Sequence, residues 1–281
     1  MTTSTTPGAA AKAAPARVPL APSFDENAPV RPVDPPAVPA VRIEGVTKRF
    51  GDGPLVLDGI DLDIAPGEFV CLIGASGCGK STILNLVAGL DAPTSGTVDV
   101  NGDTALMFQE SALFPWLTVA ANVELPMRLA GVAKAERRDS VEQLLKAVHL
   151  DGFAKKRPHQ LSGGMRQRGA LARAFAQDAD ILLMDEPFGA LDAMTRDALH
   201  EELDTLVRDR GLTVVFVTHN VREAARLGDR IVVMSPRPGR VTASFDVPIE
   251  RPRRIDSPEV SALAATVTDQ LREEALAHAR R

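Results

Sequence analysis

Phe69-Val70-Cys71-Leu72-Ile73-Gly74-Ala75-Ser76-Gly77-Cys78-Gly79-Lys80-Ser81-Thr82 decides how the chain is read. The unbroken apolar run at its start predicts a strand buried on both faces. It empties into a glycine-rich turn, and Ile83, Leu86, Val87 and Leu90 then recur at helical spacing. Gly74, Gly79, Lys80 and Ser81 complete the pattern G-x-x-x-x-G-K-[ST], which has meaning only between a strand and a helix. Glycines let backbone N–H groups converge on phosphate oxygens, and the helix N-terminus adds a favourable dipole. Lys80 is expected to reach the β- and γ-phosphates, and the Ser81 hydroxyl to sit on Mg²⁺. The stretch therefore predicts a site for a nucleoside triphosphate.

Two more apolar strands follow the same plan, each ending at a residue with chemistry. Ile181-Leu182-Leu183-Met184 runs into Asp185-Glu186, and Thr213-Val214-Val215-Phe216-Val217 runs into Thr218-His219. Ligands of open α/β sheets bind at the carboxyl ends of strands. There Asp185 suits Mg²⁺ and its waters, Glu186 can act as general base on an attacking water, and His219 can reach a γ-phosphate. Helical patterns between these strands predict a doubly wound, mostly parallel sheet.

The remaining segments are read more coarsely. Val41–Val46 alternates like a half-exposed strand, and Leu55–Ile64 reads as another. Phe50 between them is either a core aromatic or a stacking platform for a base. Thr97–Val100 and Ala105–Phe108 flank Asn101-Gly102, which predicts a hairpin. Leu113-Phe114-Pro115-Trp116-Leu117 holds the only tryptophan and is either a packed corner or a docking surface. Val141, Leu144, Leu145 and Val148 mark an amphipathic helix, flanked by His149 and His159, both read as structural. Ser162 caps a further helix whose Arg166, Arg168 and Arg173 read as a solvated face. Residues 193–210 read as a charged amphipathic helix, 231–234 and 241–247 as strands, Arg251-Pro252-Arg253-Arg254 as a solvated loop, and 258–277 as a last amphipathic helix.

Composition narrows the class. The 281 residues are 44% hydrophobic and 25% charged, enough for one sizeable core. The formal net charge of −5 argues against a nucleic-acid partner. No apolar run has membrane-spanning length and no apolar signal core opens the chain, so a protein kept in the cytoplasm is expected. Two cysteines, Cys71 and Cys78, are too few for a disulfide framework. Residues 1–40, rich in Ala, Pro and Thr, are expected to be a disordered tail; a resemblance to a transit peptide is weaker, because an Arg-rich amphipathic period is missing.

As a set, these residues resemble the ATP-binding cassette (ABC) transporter ATPases over about Val41 to Val247. Leu161-Ser162-Gly163-Gly164-Met165 resembles the sequence that marks the family, and it stands in the expected order after Gln109 and before Asp185-Glu186, Leu191-Asp192 and His219. Phe114-Pro115-Trp116-Leu117-Thr118, the run from Asp185 to Asp192 and Met234-Ser235-Pro236-Arg237-Pro238-Gly239-Arg240-Val241 are similar to the nitrate, sulfonate and taurine import ATPases. The resemblance implies an α/β, P-loop NTPase (RecA-like) core over residues 41–250, with an antiparallel β subdomain and an inserted helical subdomain at about 110–157. Residues 251–281 would be a C-terminal extension.

It also implies roles. Phe50 would stack on adenine, Gly74, Ala75, Ser76, Gly77, Cys78, Gly79 and Lys80 would wrap the phosphates, and Thr82 would lie near the α-phosphate. Ser81, Gln109 and Asp185 would serve Mg²⁺, with Gln109 also sensing the attacking water. Glu186 would be the base and His219 the switch on the γ-phosphate. Ser162, Gly163 and Gly164 would bind ATP held by a second subunit, with Asp192 at the dimer contact, so the active unit would be a homodimer. Phe114 and Trp116 would meet an integral membrane permease, which in turn would serve an extracytoplasmic solute-binding protein. The expected activity is ATP hydrolysis driving import of a small oxyanion, from the cytoplasmic face of the inner membrane. Asn220 departs from the family's usual Asp after the histidine. A soluble ABC ATPase acting on nucleic acid or ribosomes is the alternative, opposed by the single cassette and the net charge. A regulator that binds ATP without hydrolysing it is opposed by intact Lys80, Asp185, Glu186 and His219.

Overall fold

A computed structural model describes residues 38–279 apart from Ala190. The expected tail at 1–40 lies almost wholly outside the described residues. All described elements belong to one unit, Pro32–Arg281.

Two sheets form the frame. β3 (Phe69–Gly74), β5 (Thr104–Met107), β6 (Ile181–Asp185), β7 (Thr213–Val217), β8 (Arg230–Met234) and β9 (Val241–Asp246) build a six-stranded sheet in the order β5-β6-β7-β3-β8-β9. All neighbours in it are parallel except β8 and β9. β1 (Val41–Arg49), β2 (Leu55–Ile64) and β4 (Ser95–Val100) form a separate antiparallel sheet in the order β2-β1-β4. The helices are α1 (Lys80–Val87), α2 (Val119–Leu129), α3 (Lys134–Ala147), α4 (Gly163–Phe175), α5 (Ala193–Arg210), α6 (Val221–Leu227) and α7 (Pro258–Ala279). This is the mostly parallel α/β architecture that the apolar strands predict.

The pleat explains why those strands are apolar throughout. Phe69, Cys71, Leu182, Met184, Val214, Phe216, Ile231 and Val233 enter one core, shared with residues of α2 through α7. Their neighbours Val70, Leu72, Ile181, Leu183, Val215, Val217, Val232 and Met234 enter the other, with α1 and the antiparallel sheet. Successive side chains point to opposite faces, so a strand covered on both sides needs apolar residues at every position.

Four sequence expectations fail. The Asn101-Gly102 hairpin does not form: β4 pairs with β1, whereas β5 pairs with β6 in the other sheet. The turn is instead a crossing between sheets, tied down by Asn101, whose amide and side chain donate to the carbonyls of Ala40 and Pro39. Leu90 is exposed, because α1 ends at Val87. Arg166, Arg168 and Arg173 are half-buried and donate to the carbonyls of Leu161, of Val148 and His149, and of Ser111 and Ala112. Arg251 pairs with Asp204 and Asp229, and Arg253 donates to the carbonyls of Arg226 and Gly228 at the end of α6, and of Val247 and Ile249. Those arginines fix the C-terminal segment by satisfying helix-end carbonyls that would otherwise be orphaned. Of the three arginines in that run only Arg254 is solvated, paired with Asp256.

Candidate functional site

β6, β7 and β3 are adjacent in the sheet, so their carboxyl ends bring three sequence-distant segments together: the loop from Gly74 to Ser81, Asp185-Glu186 and Thr218-His219. Phe50, Ser76, Gly77, Gly79, Lys80, Ser81, Thr82, Gln109, Asp185 and Glu186 line one cleft of about 330 Å³, together with Val56 and Arg237.

The phosphate loop is shaped by its glycines. Gly79 has φ 108°, and a Cβ there would collide with the Leu57 side chain. It opens α1 without any side-chain cap, whereas Thr118, Ser162, Asp192 and Asn220 cap α2, α4, α5 and α6. The first-turn amides of α1 are thus open to an anion. Lys80 is almost fully buried, and its Nζ donates to the carbonyls of Gly74 and Ala75 at 2.9 and 3.0 Å. Its third proton faces only the Cys78 sulfur at 3.8 Å, and neutral acceptors leave a buried ammonium under-compensated.

Opposite the loop stands the carboxylate pair. Burial pushes the Asp185 carboxyl above its ordinary value; a hydrogen bond from Ser81 opposes this, Glu186 adds to it, and Lys80 opposes it. Glu186 sits at φ 45°, a left-handed conformation that non-glycine residues rarely adopt and that collects at functional sites. Its backbone N–H donates to the Val217 carbonyl at 2.9 Å, which holds it beside the tip of β7. Gln109 Nε2 and His219 Nδ1 both approach Glu186 Oε2, at 3.4 and 3.3 Å. Oε1 takes neither contact, which leaves the carboxylate a free oxygen for a water.

At the other end of the cleft Phe50 is 53% exposed, so it is not a core aromatic. Lys48 Nζ lies 4.8 Å from its ring centroid and also pairs with Asp91, whose carboxyl it holds below the ordinary range through a hydrogen bond. Arg237 also lines the cleft, and nothing in the sequence marked it beyond its run of subfamily-like residues. The loop that carries it is locked in place, since Gly239 exchanges hydrogen bonds with Val56 and Asp58 of β2.

Ser162, Gly163 and Gly164 lie outside this cleft, at the start of α4, where Ser162 accepts a hydrogen bond from the Met165 amide. Asp192 likewise caps α5 through the Thr195 amide, which holds its carboxyl below the ordinary range. Phe114 and Trp116 are also remote from the cleft. Trp116 is 66% exposed, and its ring centroid is 5.4 Å from that of Phe114. Asn122, fully buried, presents this pair: it accepts from the Phe114 amide and donates to the carbonyls of Phe114 and Thr118. Sequence reading missed Asn122, because its partners are backbone groups that no motif displays.

An open helix N-terminus, a buried lysine and a strand-tip carboxylate pair around one cleft define a P-loop nucleoside triphosphatase. Residues 57–189 match the ABC transporter family. The aliphatic sulfonates import ATP-binding protein SsuB 1 of Mesorhizobium japonicum is 45% identical over 84% of this chain and 93% of its own length. The bicarbonate transport ATP-binding protein CmpC of Synechococcus elongatus is 47% identical over 76% of this chain and 34% of its own length. The dimeric post-hydrolysis structure of the ATP-binding cassette MJ0796 bound to ADP and Pi superposes with a TM-score of 0.69, at 35% identity, over 75% of this chain and all of that one. The chain belongs to the ABC transporter family, and it is an ATPase.

Proposed function

We propose that this chain is the ATP-hydrolysing subunit of an ABC importer for a small oxyanion, working as a head-to-tail homodimer against a separate membrane permease. The relatives' names, aliphatic sulfonates and bicarbonate, share that solute chemistry; taurine and nitrate belong to the same class. No helix among the described residues is long and apolar enough to cross a membrane, so the pathway itself would be built by the permease. The cytoplasmic face of the inner membrane is the corresponding location, and an extracytoplasmic protein would deliver the solute.

One observation carries this reading: a continuous chain of contacts joins the base to the exposed aromatic pair. The Gln109 side chain meets Glu186, and the Gln109 carbonyl accepts from Gln167 of α4 at 3.0 Å. Arg173 of the same helix holds the Ser111 and Ala112 carbonyls, and its guanidinium lies 5.9 Å from the Phe114 ring centroid. A permease helix seated on Phe114 and Trp116 would therefore move the residue that contacts the base.

In turnover, Phe50 would stack the adenine while Gly74, Ala75, Ser76, Gly77, Cys78, Gly79, Lys80 and Thr82 hold the phosphates. The Ser81 hydroxyl and the half-buried Asp185 carboxylate are hard oxygen donors lining the same cleft, a pair that fits Mg²⁺. Mg²⁺ there, with Gln109 near it, would neutralise charge on the β- and γ-phosphates. Glu186 takes a proton from the attacking water, and His219 contacts the γ-phosphate. Ser162, Gly163 and Gly164 of one subunit close over ATP held by the other, with Asp192 at the contact. Catalysis is then mostly positioning and electrostatics.

The test is a pull-down of the tagged protein from detergent-solubilised membranes, with and without ATP. Co-purification of one multi-spanning membrane protein supports the proposal. Recovery of ribosomal or DNA-repair proteins, with nothing from the membrane, overturns it.

A further inference from the structure

We infer that His200, Glu223 and Thr218 form a buried relay that positions His219 beside Glu186 and ties it to the segment carrying Glu186. The inference rests on the reading of His219 as the residue that acts on the terminal phosphate.

His200 of α5 is wholly buried, and Glu223 and Arg226 of α6 are nearly so. His200 Nε2 lies 2.8 Å from Glu223 Oε1, and Arg226 Nη1 lies 3.3 Å from His200 Nδ1. A guanidinium only donates, so Nδ1 is the acceptor and the proton sits on Nε2, pointing at Glu223. The second oxygen of Glu223 accepts from the Thr218 hydroxyl. Thr218 Oγ1 in turn accepts the Asn220 amide at 3.0 Å, and Asn220 Oδ1 accepts the amides of Arg222 and Glu223. Both neighbours of His219 are therefore pinned, while its own side chain stays 70% exposed and reaches Glu186 Oε2.

The other side of His200 faces the Glu186 segment. Its ring lies edge-on to Phe188 with centroids 4.8 Å apart, two residues after Glu186. α5, which carries His200, begins at the Asp192 cap. A packing role alone would be served as well by apolar residues, because a buried carboxylate and a buried guanidinium are costly to desolvate. What apolar residues cannot supply is direction. Each His200 ring nitrogen has one partner, and each Glu223 oxygen joins a different residue, so the orientation of the Thr218–Asn220 backbone follows from that of His200.

Steady-state ATPase assays on four variants test the relay. His200→Leu is expected to lower kcat about tenfold or more with little change in KM, since small misplacements remote from the chemistry are costly. His200→Gln is expected to recover most of the loss, because its amide can donate to Glu223 while its oxygen accepts from Arg226. Thr218→Val should lose activity in the same way, and Thr218→Ser should retain it. If Gln rescues no better than Leu, or if lost activity only follows lost folded protein in thermal melts, the relay is overturned. His219→Ala separates the two readings: normal turnover there refutes the role of His219. The relay would then stand or fall on the His200 tautomer, seen in long-range ¹H–¹⁵N correlation, with Nε2–H supporting it and Nδ1–H overturning it.

Discussion

Gly239→Ala isolates the contact that holds the β8–β9 loop against the phosphate loop. A Cβ at residue 239 would collide with the backbone carbonyl oxygen of Cys78 and press on the Met234 methyl. No side-chain rotation relieves a clash with backbone, so one of two segments must move. If the 235–240 loop retreats, it gives up the bond from the Gly239 amide to the Val56 carbonyl, 2.8 Å, and that from the Asp58 amide to the Gly239 carbonyl, 3.0 Å. Two such bonds are worth about 2 kcal/mol. If Cys78 yields instead, the overpacking costs roughly 1–3 kcal/mol and the amides between Gly77 and Lys80 lose their alignment. The expected stability loss is about 1–3 kcal/mol, a melting shift of roughly 2–12 °C for a domain of this size. Misaligning one phosphate-binding amide, a hydrogen bond to a charged group worth about 1.5–3 kcal/mol, would weaken ATP binding by roughly 10–10²-fold. Denaturant titration and calorimetric ATP binding measure the two effects. Gly152→Ala, where a Cβ would meet nothing within 4 Å, serves as the control and should be near neutral. A Gly239→Ala protein with unchanged midpoint and unchanged ATP affinity would refute the claim that this loop braces the site.

Three further outcomes can be checked directly. Glu186→Gln should cut hydrolysis by about 10²–10⁴-fold while ATP binding persists and a dimer accumulates on size exclusion; normal turnover would remove Glu186 as base. For Asp185 the sign follows from its raised carboxyl: the native state holds that proton longer than the unfolded chain, so stability falls as pH climbs through the window above the ordinary Asp value. Asp185→Asn should therefore flatten stability above about pH 4 in urea titrations and be no less stable at neutral pH, while Mg²⁺-dependent turnover disappears. Loss of stability at neutral pH would contradict this. Trp116→Ala, altering an exposed ring, should leave melting and basal ATPase nearly unchanged but reduce permease recovery in pull-downs, and undiminished recovery would return Trp116 to a packing role.

What the sequence made legible was what short-range pattern encodes. The phosphate loop needs its glycines at set spacing, and a strand covered on both faces must be apolar at each residue, so both are written locally. The hairpin at Asn101-Gly102 fails because its turn signal is local while strand pairing is not. β4 has only its edge to offer the antiparallel sheet, while the short apolar Thr104–Met107 gains most beside β6. Arg251 and Arg253 were misread for the same reason: their acceptors lie at Asp204, Asp229 and the end of α6, far away in sequence.

Glu186 shows how local strain and distant support combine. Its left-handed backbone costs on the order of 1–3 kcal/mol, so surrounding contacts must over-determine it. The bond from its amide to the Val217 carbonyl and the turn closed by the Gly189 amide on its own carbonyl supply part of that support. His200 reaches both sides of the same place, touching Phe188 after Glu186 and, through Glu223, Thr218 before His219. The strained Glu186 and the neighbouring His219 thus share one buried brace. A shift of α5 would reach both together, whereas a shift of the loop at Gln109 reaches Glu186 directly. Two inputs with different reach are what a cycle needs if subunit closure and permease contact are to act on hydrolysis separately.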